Sequence, residues 1–94
     1  MPQSARPQDI IADDVDHIQV GGMQVRKGTV AAFLANIERL ENPNSSAEEQ
    51  QEALQIMEEL APAIVAVGMH RHVTFKNKRA EAIIQQAEIR GETI

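Results

Sequence analysis

Apolar and polar residues alternate on either side of a glycine pair near the start of the chain. The two alternating runs cover residues 17–20 and 23–26, and Gly21-Gly22 lies between them. A Gly-Gly pair suits a two-residue hairpin turn, because glycine adopts positive φ angles without steric cost. The predicted register places four apolar side chains on one face: Ile18, Val20, Met23 and Val25. Because a lone hairpin is only marginally stable in water, either the helices that follow or a second copy of the chain must cover this face.

The spacing of apolar residues changes from strand to helix period directly after the hairpin. A helix is predicted over residues 29–40, with Gly28 at the turn into it and Thr29 as its N-cap. One apolar stripe follows helical spacing: Val30, Phe33, Leu34, Ile37 and Leu40. The sequence Asn42-Pro43-Asn44 predicts a loop that ends this helix.

A second helix is predicted to begin at Ser46, where Ser46-Ala-Glu-Glu49 matches a capping box. Its apolar stripe continues to residue 68 and consists of Ala53, Leu54, Met57, Ala61, Ile64, Val65 and Gly68. Pro62 cannot donate a hydrogen bond, so we expect the helix to kink there or to restart with Pro62 in its first turn. Residues 63–67 are apolar on nearly every side, which predicts the most buried segment of the chain.

The last helix is predicted from about Asn77 to Arg90, with Gly91 as its C-cap glycine. Its stripe consists of Ala80, Ile83, Ile84 and Ala87. Residues 1–15 contain two prolines and several polar residues, which is typical of a flexible N-terminal arm. The predicted fold is therefore a small α+β domain over residues 16–94, in which an N-terminal β-hairpin packs on about three α-helices.

Composition narrows the classes of protein and of site. The 94 residues are 43% hydrophobic but include only two phenylalanines and no tryptophan or tyrosine, so aliphatic side chains must fill the core. Such a small core favours oligomerisation. The absence of cysteine excludes disulfides and thiol catalysis, and it predicts a reducing, cytoplasmic location. The longest apolar run, residues 61–68, is too short to span a bilayer, so no membrane association is expected.

Charge is distributed unevenly along the chain, whose formal net charge is −5. Residues 46–61 contain acidic but no basic side chains, and residues 69–79 contain basic but no acidic ones. We call four cations of the second stretch the basic block: Arg71, Lys76, Lys78 and Arg79. They are candidates for binding a phosphate or another anion at the start of the last helix. Alternatively, they pair with glutamates of the second helix, such as Glu48, Glu52 and Glu59, in the same subunit or in a partner.

Two histidines are the candidates for metal binding. His70 and His72 stand two residues apart, and on an extended strand their imidazoles would point to the same side. A metal would need further ligands, which Asp13, Asp14 or Asp16 beside His17 could supply only if the N-terminal arm folds back. Because structural zinc sites use recognisable Cys and His spacing, we interpret the pair as part of a polar turn and expect neither a metal nor a cofactor.

No arrangement of serine, histidine and carboxylate residues indicates catalysis, so we expect a protein that is not an enzyme. The leading hypothesis is a small interaction or regulatory module that acts as a homodimer. The dimer would form either by joining two hairpins into a larger sheet or by packing two copies of residues 63–67 together. The alternative is a small nucleic-acid or phosphoanion binder that uses the basic block. The acidic net charge and the lack of aromatic side chains for base stacking disfavour nucleic acid.

Overall fold

The computed structural model describes residues 17–20 and 22–92, which form a two-stranded antiparallel hairpin followed by three α-helices. The elements are β1 (His17–Val20), β2 (Met23–Arg26), α1 (Thr29–Glu41), α2 (Ala47–Ala66), a 3₁₀ turn (Met69–Arg71) and α3 (Lys78–Glu92). This architecture confirms the predicted α+β fold. The predicted N-terminal arm lies outside the described residues. None of the described helices is long and apolar enough to cross a membrane.

The hairpin has the predicted register. Ile18 is opposite Val25 and Val20 is opposite Met23, while His17 pairs with Arg26 and Gln19 with Gln24. Gly22 adopts a positive φ of 79°, as a tight turn between two strands requires. The apolar face is the more covered one, because its four residues are half-buried or buried and the opposite face is exposed. The alternation of the sequence therefore identified the inner face correctly.

The entry into α1 differs from the prediction that Thr29 is the N-cap. Gly28 is the N-cap, with a left-handed φ of 87° and no side-chain hydrogen bond, and Thr29 is the first helical residue. The hydroxyl group of Thr29 instead donates a hydrogen bond of 2.7 Å to the carbonyl oxygen of Arg26. The chain reverses within two residues of β2, and glycine takes the left-handed conformation that this reversal needs. Thr29 is then free to connect the helix to the strand.

The capping box at the start of α2 is present as predicted. The backbone N–H of Glu49 donates to the hydroxyl oxygen of Ser46 at 3.1 Å, and the backbone N–H of Ser46 donates to the Glu49 carboxylate at 2.8 Å. The hydrogen bond from the Ser46 backbone, followed by that involving its side chain, lowers the pKa of Glu49 from its ordinary value. These two bonds satisfy N–H groups that have no partner inside the helix.

Helix α2 is continuous from Ala47 to Ala66, so it does not restart at Pro62. Pro62 is exposed, as is Glu58, whose carbonyl oxygen lacks its usual donor four residues later. Water can satisfy that carbonyl, which explains how the helix passes through a proline. The prediction that residues 63–67 form the most buried segment is wrong. Of these five residues only Ile64 is buried, and Val67 is 42% exposed because the hairpin covers this end of α2 only in part.

Helix α2 contributes the centre of the core and packs against α1 on one side and α3 on the other. The core cluster consists of Phe33, Leu40, Met57, Ala61, Ile64, Ala80, Ile84 and Ala87. Phe33 also contacts Phe75, from the loop before α3, with ring centroids 5.2 Å apart and the ring planes tilted by 60°. The core is thus aliphatic, as the composition predicts, apart from one aromatic pair that joins α1 to this loop.

Helix α3 is capped at its start by Asn77, whose side-chain oxygen accepts a hydrogen bond of 3.0 Å from the backbone N–H of Ala80. The Asn77 side chain also donates to the Glu41 carboxylate at the end of α1, over 2.9 Å. The helix continues to Glu92, so the prediction of Gly91 as a C-cap is wrong. A glycine C-cap takes a left-handed backbone, whereas among the described glycines only Gly22, Gly28 and Gly68 have positive φ.

Candidate functional site

An apolar concavity lies where the hairpin meets the first two helices. We call it the hairpin groove and define it by the four large aliphatic residues that line it: Ile18, Val25, Val30 and Val67. The remaining lining comes from Arg26, Gly28, Thr29 and Ala31, and the volume is about 290 Å³. The local sequence explains its shape, because the reversal at Gly28 brings the first turn of α1 directly beside the inner face of the hairpin.

Two of the side chains that line the hairpin groove are notably exposed for their type. Val30 is 38% exposed and Val67 is 42% exposed, and Leu34, one helical turn beyond Val30, is 43% exposed. Val30 and Leu34 belong to the predicted stripe of α1. Of that stripe, however, only Phe33 and Leu40 are buried in the core cluster. This site was not among those predicted from the sequence, although the unusual width of the α1 stripe was a signal that could have indicated it.

The strands next to this groove differ in their surroundings. Gln24 of β2 lines a second groove together with Glu59 and Leu60 of α2. The edge of β2 that does not pair with β1 therefore faces α2. β1 pairs with β2 and with no other described strand. An unpaired strand edge presents backbone N–H and C=O groups that can pair with another strand. The edge of β1, which no other described strand covers, and the hairpin groove are therefore two features of the described surface that favour binding.

The basic block is spread over three elements. Arg71 ends the 3₁₀ turn, Lys76 lies in the following loop, and Lys78 and Arg79 are the first residues of α3. All four are exposed, and within the described part of the chain none forms an ion pair. Arg71 has a structural contact of its own, because its guanidinium covers Gly68 so closely that a Cβ there would lie 2.5 Å from Nη2.

The glutamates of α2 do not serve as partners for the basic block within this subunit. Glu52 accepts a hydrogen bond of 2.5 Å from Arg39 of α1, and this pair is also an ion pair. Glu52 therefore pairs with α1 rather than with the start of α3. Pairing of the basic block with glutamates of a second subunit stays a prediction.

The two candidate metal ligands do not lie on an extended strand. His70 is in the 3₁₀ turn and His72 is its C-cap residue, so the same-side arrangement that the spacing suggested does not apply. His70 is half-buried, with Nε2 3.8 Å from the Glu88 carboxylate, whereas His72 is exposed. Across residues 17–20 and 22–92, no three His, Asp or Glu side chains form a cluster that could hold a metal ion. Asp13, Asp14 and Asp16 lie outside the described residues.

His70 contains the one buried side-chain polar atom without a hydrogen-bond partner in the described region, its Nδ1. The Nε2 atom faces Glu88, so the imidazole links the 3₁₀ turn to α3. This arrangement suits a structural contact between the α2–α3 connection and the last helix. It corrects the interpretation of His70 as part of an exposed polar turn.

Comparisons of this chain with protein-family models, with curated proteins and with solved structures found no match.

Proposed function

We propose that this protein is a non-enzymatic interaction module that acts as a homodimer, formed by antiparallel pairing of β1 with β1 of a second copy. The observation that carries the proposal is the position of β1 at the outer edge of the two-stranded sheet that the described residues form. Natural proteins cover or pair such edges. A two-fold axis beside β1 would turn two hairpins into one four-stranded sheet, which is a more stable unit than either hairpin alone.

The side-chain pattern of the hairpin supports this pairing. Ile18 and Val20 are only half-buried, whereas Val25 on the inner strand is 6% exposed. Pairing the two β1 strands would place the apolar faces of both hairpins side by side and reduce the exposure of Ile18 and Val20. The second geometry predicted from the sequence, packing of residues 63–67 against their copy, has less support, because β2 already contacts α2.

The pairing can be tested by removing one backbone N–H from each edge of the hairpin. The residues that flank a two-residue turn form a hydrogen-bonded pair, and the next pair does not. Gln19 and Gln24 form that next pair, so their N–H groups point to opposite outer edges. We expect Gln19→Pro to give a folded monomer, since proline removes the N–H from the β1 edge. The matched variant Gln24→Pro removes the N–H from the outer edge of β2 instead and should leave the dimer intact.

Light scattering coupled to size-exclusion chromatography measures the outcome. The wild-type chain should have twice the mass of one 10.4 kDa chain at micromolar concentration. Circular dichroism would show that both variants keep their helices. A wild-type mass of one chain, or a dimer that Gln24→Pro breaks and Gln19→Pro does not, would contradict the proposal. We also propose a cytoplasmic location, on the ground that the chain contains no cysteine.

The second candidate function is binding of a phosphoanion or nucleic acid by the basic block. It is favoured by one observation: the four cations are exposed and form no ion pair within the described residues, so the glutamates of the same subunit do not neutralise them. Fluorescence anisotropy with a short duplex at two salt concentrations tests it. Binding that weakens steeply with salt would support this function, because counterion release drives such binding. No binding at low salt would eliminate it.

A further inference from the structure

We propose that the hairpin groove binds the acidic segment 9–16 of the same chain, with Ile10 and Ile11 as the anchoring side chains. This contact is distinct from the proposed dimer, because the groove lies on the inner face of the hairpin and the dimer uses the edge of β1. Four features support it: the lining of the groove, the sequence of the segment, its charge and its distance along the chain.

The groove has the size and the chemistry for two aliphatic side chains. Its walls include Ile18, Val25, Val30 and Val67, and its volume is about 290 Å³. An apolar cavity of roughly 150 Å³ is enough to hold a molecule as large as benzene. Filling the groove would cover Val30 and Val67, which are 38% and 42% exposed. Burial of this apolar surface would stabilise the contact.

The segment combines aliphatic anchors with carboxylates. Its sequence is Asp-Ile-Ile-Ala-Asp-Asp-Val-Asp, so two adjacent isoleucines stand within four negative charges. Arg26 lines the groove and is exposed, and it forms no ion pair with any described residue. The carboxylates of the segment complement this guanidinium, and the isoleucines match the apolar walls.

Chain connectivity favours the segment of the same copy over a segment of another. Ile11 precedes Ile18 by seven residues, and Ile18 itself lines the groove. Seven residues span up to about 25 Å when extended, so the anchors can reach the groove. A short tether holds its ligand at an effective concentration of about millimolar.

Disulfide trapping can test the contact, because the natural chain has no cysteine. The variant Ala12→Cys/Val67→Cys carries one thiol beside the two isoleucines and one at the groove. The control variant Ala12→Cys/Ile89→Cys places the second thiol on an aliphatic position of α3 that does not line the groove and is 52% exposed. Diamide oxidises the two thiols to a disulfide and takes up both hydrogen atoms. We expect the groove pair to cross-link about tenfold faster than the control pair.

Intact-mass spectrometry distinguishes the occupants of the groove. A disulfide within one chain leaves the mass of a single chain, and its rate should fall when Val30→Asp is added, because a charge would then line the groove. Equal rates for the groove pair and the control pair would overturn the proposal. Predominant disulfides between two chains would also overturn it, since the groove would then hold a segment of a second copy. The comparison of the groove pair with the control pair does not depend on whether β1 forms the proposed dimer.

Discussion

The helical body and the hairpin both carry regular apolar patterns, but only the helical body fully buries the large side chains at its centre. Four large side chains of the helices are at most 1% exposed: Phe33, Met57, Ile64 and Ile84. In the hairpin, Val25 alone is buried, and the other three apolar residues stay half-buried. The comparison teaches that an apolar face in the sequence does not by itself become a core, because a second surface must cover it.

The difference follows from how much surface each region can offer. Helix α2 is 20 residues long and packs between α1 and α3, so its central residues are covered from two sides. Each strand has four residues, and the hairpin meets the rest of the protein mainly where β2 contacts α2. The helical body should therefore determine the stability of the fold, while the hairpin provides surface for binding.

The largest expected effect is in the helical body, at Phe33. Phe33→Ala removes a fully buried ring and its contact with Phe75, so the free energy of unfolding should fall by about 3–5 kcal/mol. Leu34→Ala is the matched control on the same helix, because Leu34 is 43% exposed. Urea denaturation measures both variants. Equal losses for Phe33→Ala and Leu34→Ala would show that α1 does not pack in this orientation.

The next effect tests whether the hairpin is anchored to the helices. Val25→Asp places a charge without a partner at a site that is 6% exposed, and it should lower the free energy of unfolding by about 3 kcal/mol. Gln24→Asp introduces the same charge on the exposed face of the same strand and should have little effect. Thermal melting followed by circular dichroism compares them. If Val25→Asp were as stable as Gln24→Asp, the hairpin would not pack on the helical body.

A smaller effect is expected at the start of α2. Ser46→Ala removes the cap of the helix and should lower the free energy of unfolding by about 1 kcal/mol at pH 7. Gln51→Ala, at an exposed position within the same helix, is the control and should be neutral. Urea denaturation measures both. A neutral result for Ser46→Ala would mean that the capping box does not stabilise α2.

The Ser46 backbone N–H, followed by the Ser46 side chain, lowers the pKa of Glu49 in the folded state, and Ser46→Ala removes only the side-chain contribution. The effect of this variant should therefore depend on pH. A carboxylate with a lowered folded pKa stabilises the fold above its unfolded pKa, which is about 4.5, and this stability is lost as the pH falls through the folded pKa. The difference between wild type and Ser46→Ala should thus be larger at pH 7 than at pH 3. A difference that is constant with pH would exclude a contribution of the Ser46 side chain to the lowered pKa of Glu49.

The smallest effect on stability is expected from the basic block. Replacing Lys76, Lys78 and Arg79 together with glutamine should leave the melting temperature unchanged or raise it slightly. These exposed cations form no ion pair within the described residues, and cations at a helix start oppose the helix dipole. Arg39→Gln is the contrasting variant, because it removes the ion pair with Glu52. A clear fall in melting temperature for the triple variant would indicate pairing with glutamates of a second subunit.

The sequence by itself determined the elements of this protein and the register of its hairpin. The alternation around Gly21-Gly22 predicted the pairing of Ile18 with Val25, and the helical spacing of Ala80, Ile83 and Ile84 predicted the inner face of α3. The capping box from Ser46 to Glu49 was likewise predicted and is present. These features depend on residues only a few positions apart, so local spacing is sufficient to predict them.

The tertiary structure alone decided which apolar surfaces are covered and which polar groups meet. Val30 belongs to an apolar stripe and Val67 to the apolar run 63–67, yet both remain partly exposed beside the hairpin. His70 faces Glu88, 18 residues away in the sequence, and Glu52 pairs with Arg39 of another helix. A period along the chain shows which side of a helix is apolar, but the area that a neighbour covers depends on the angle and distance at which the two elements pack.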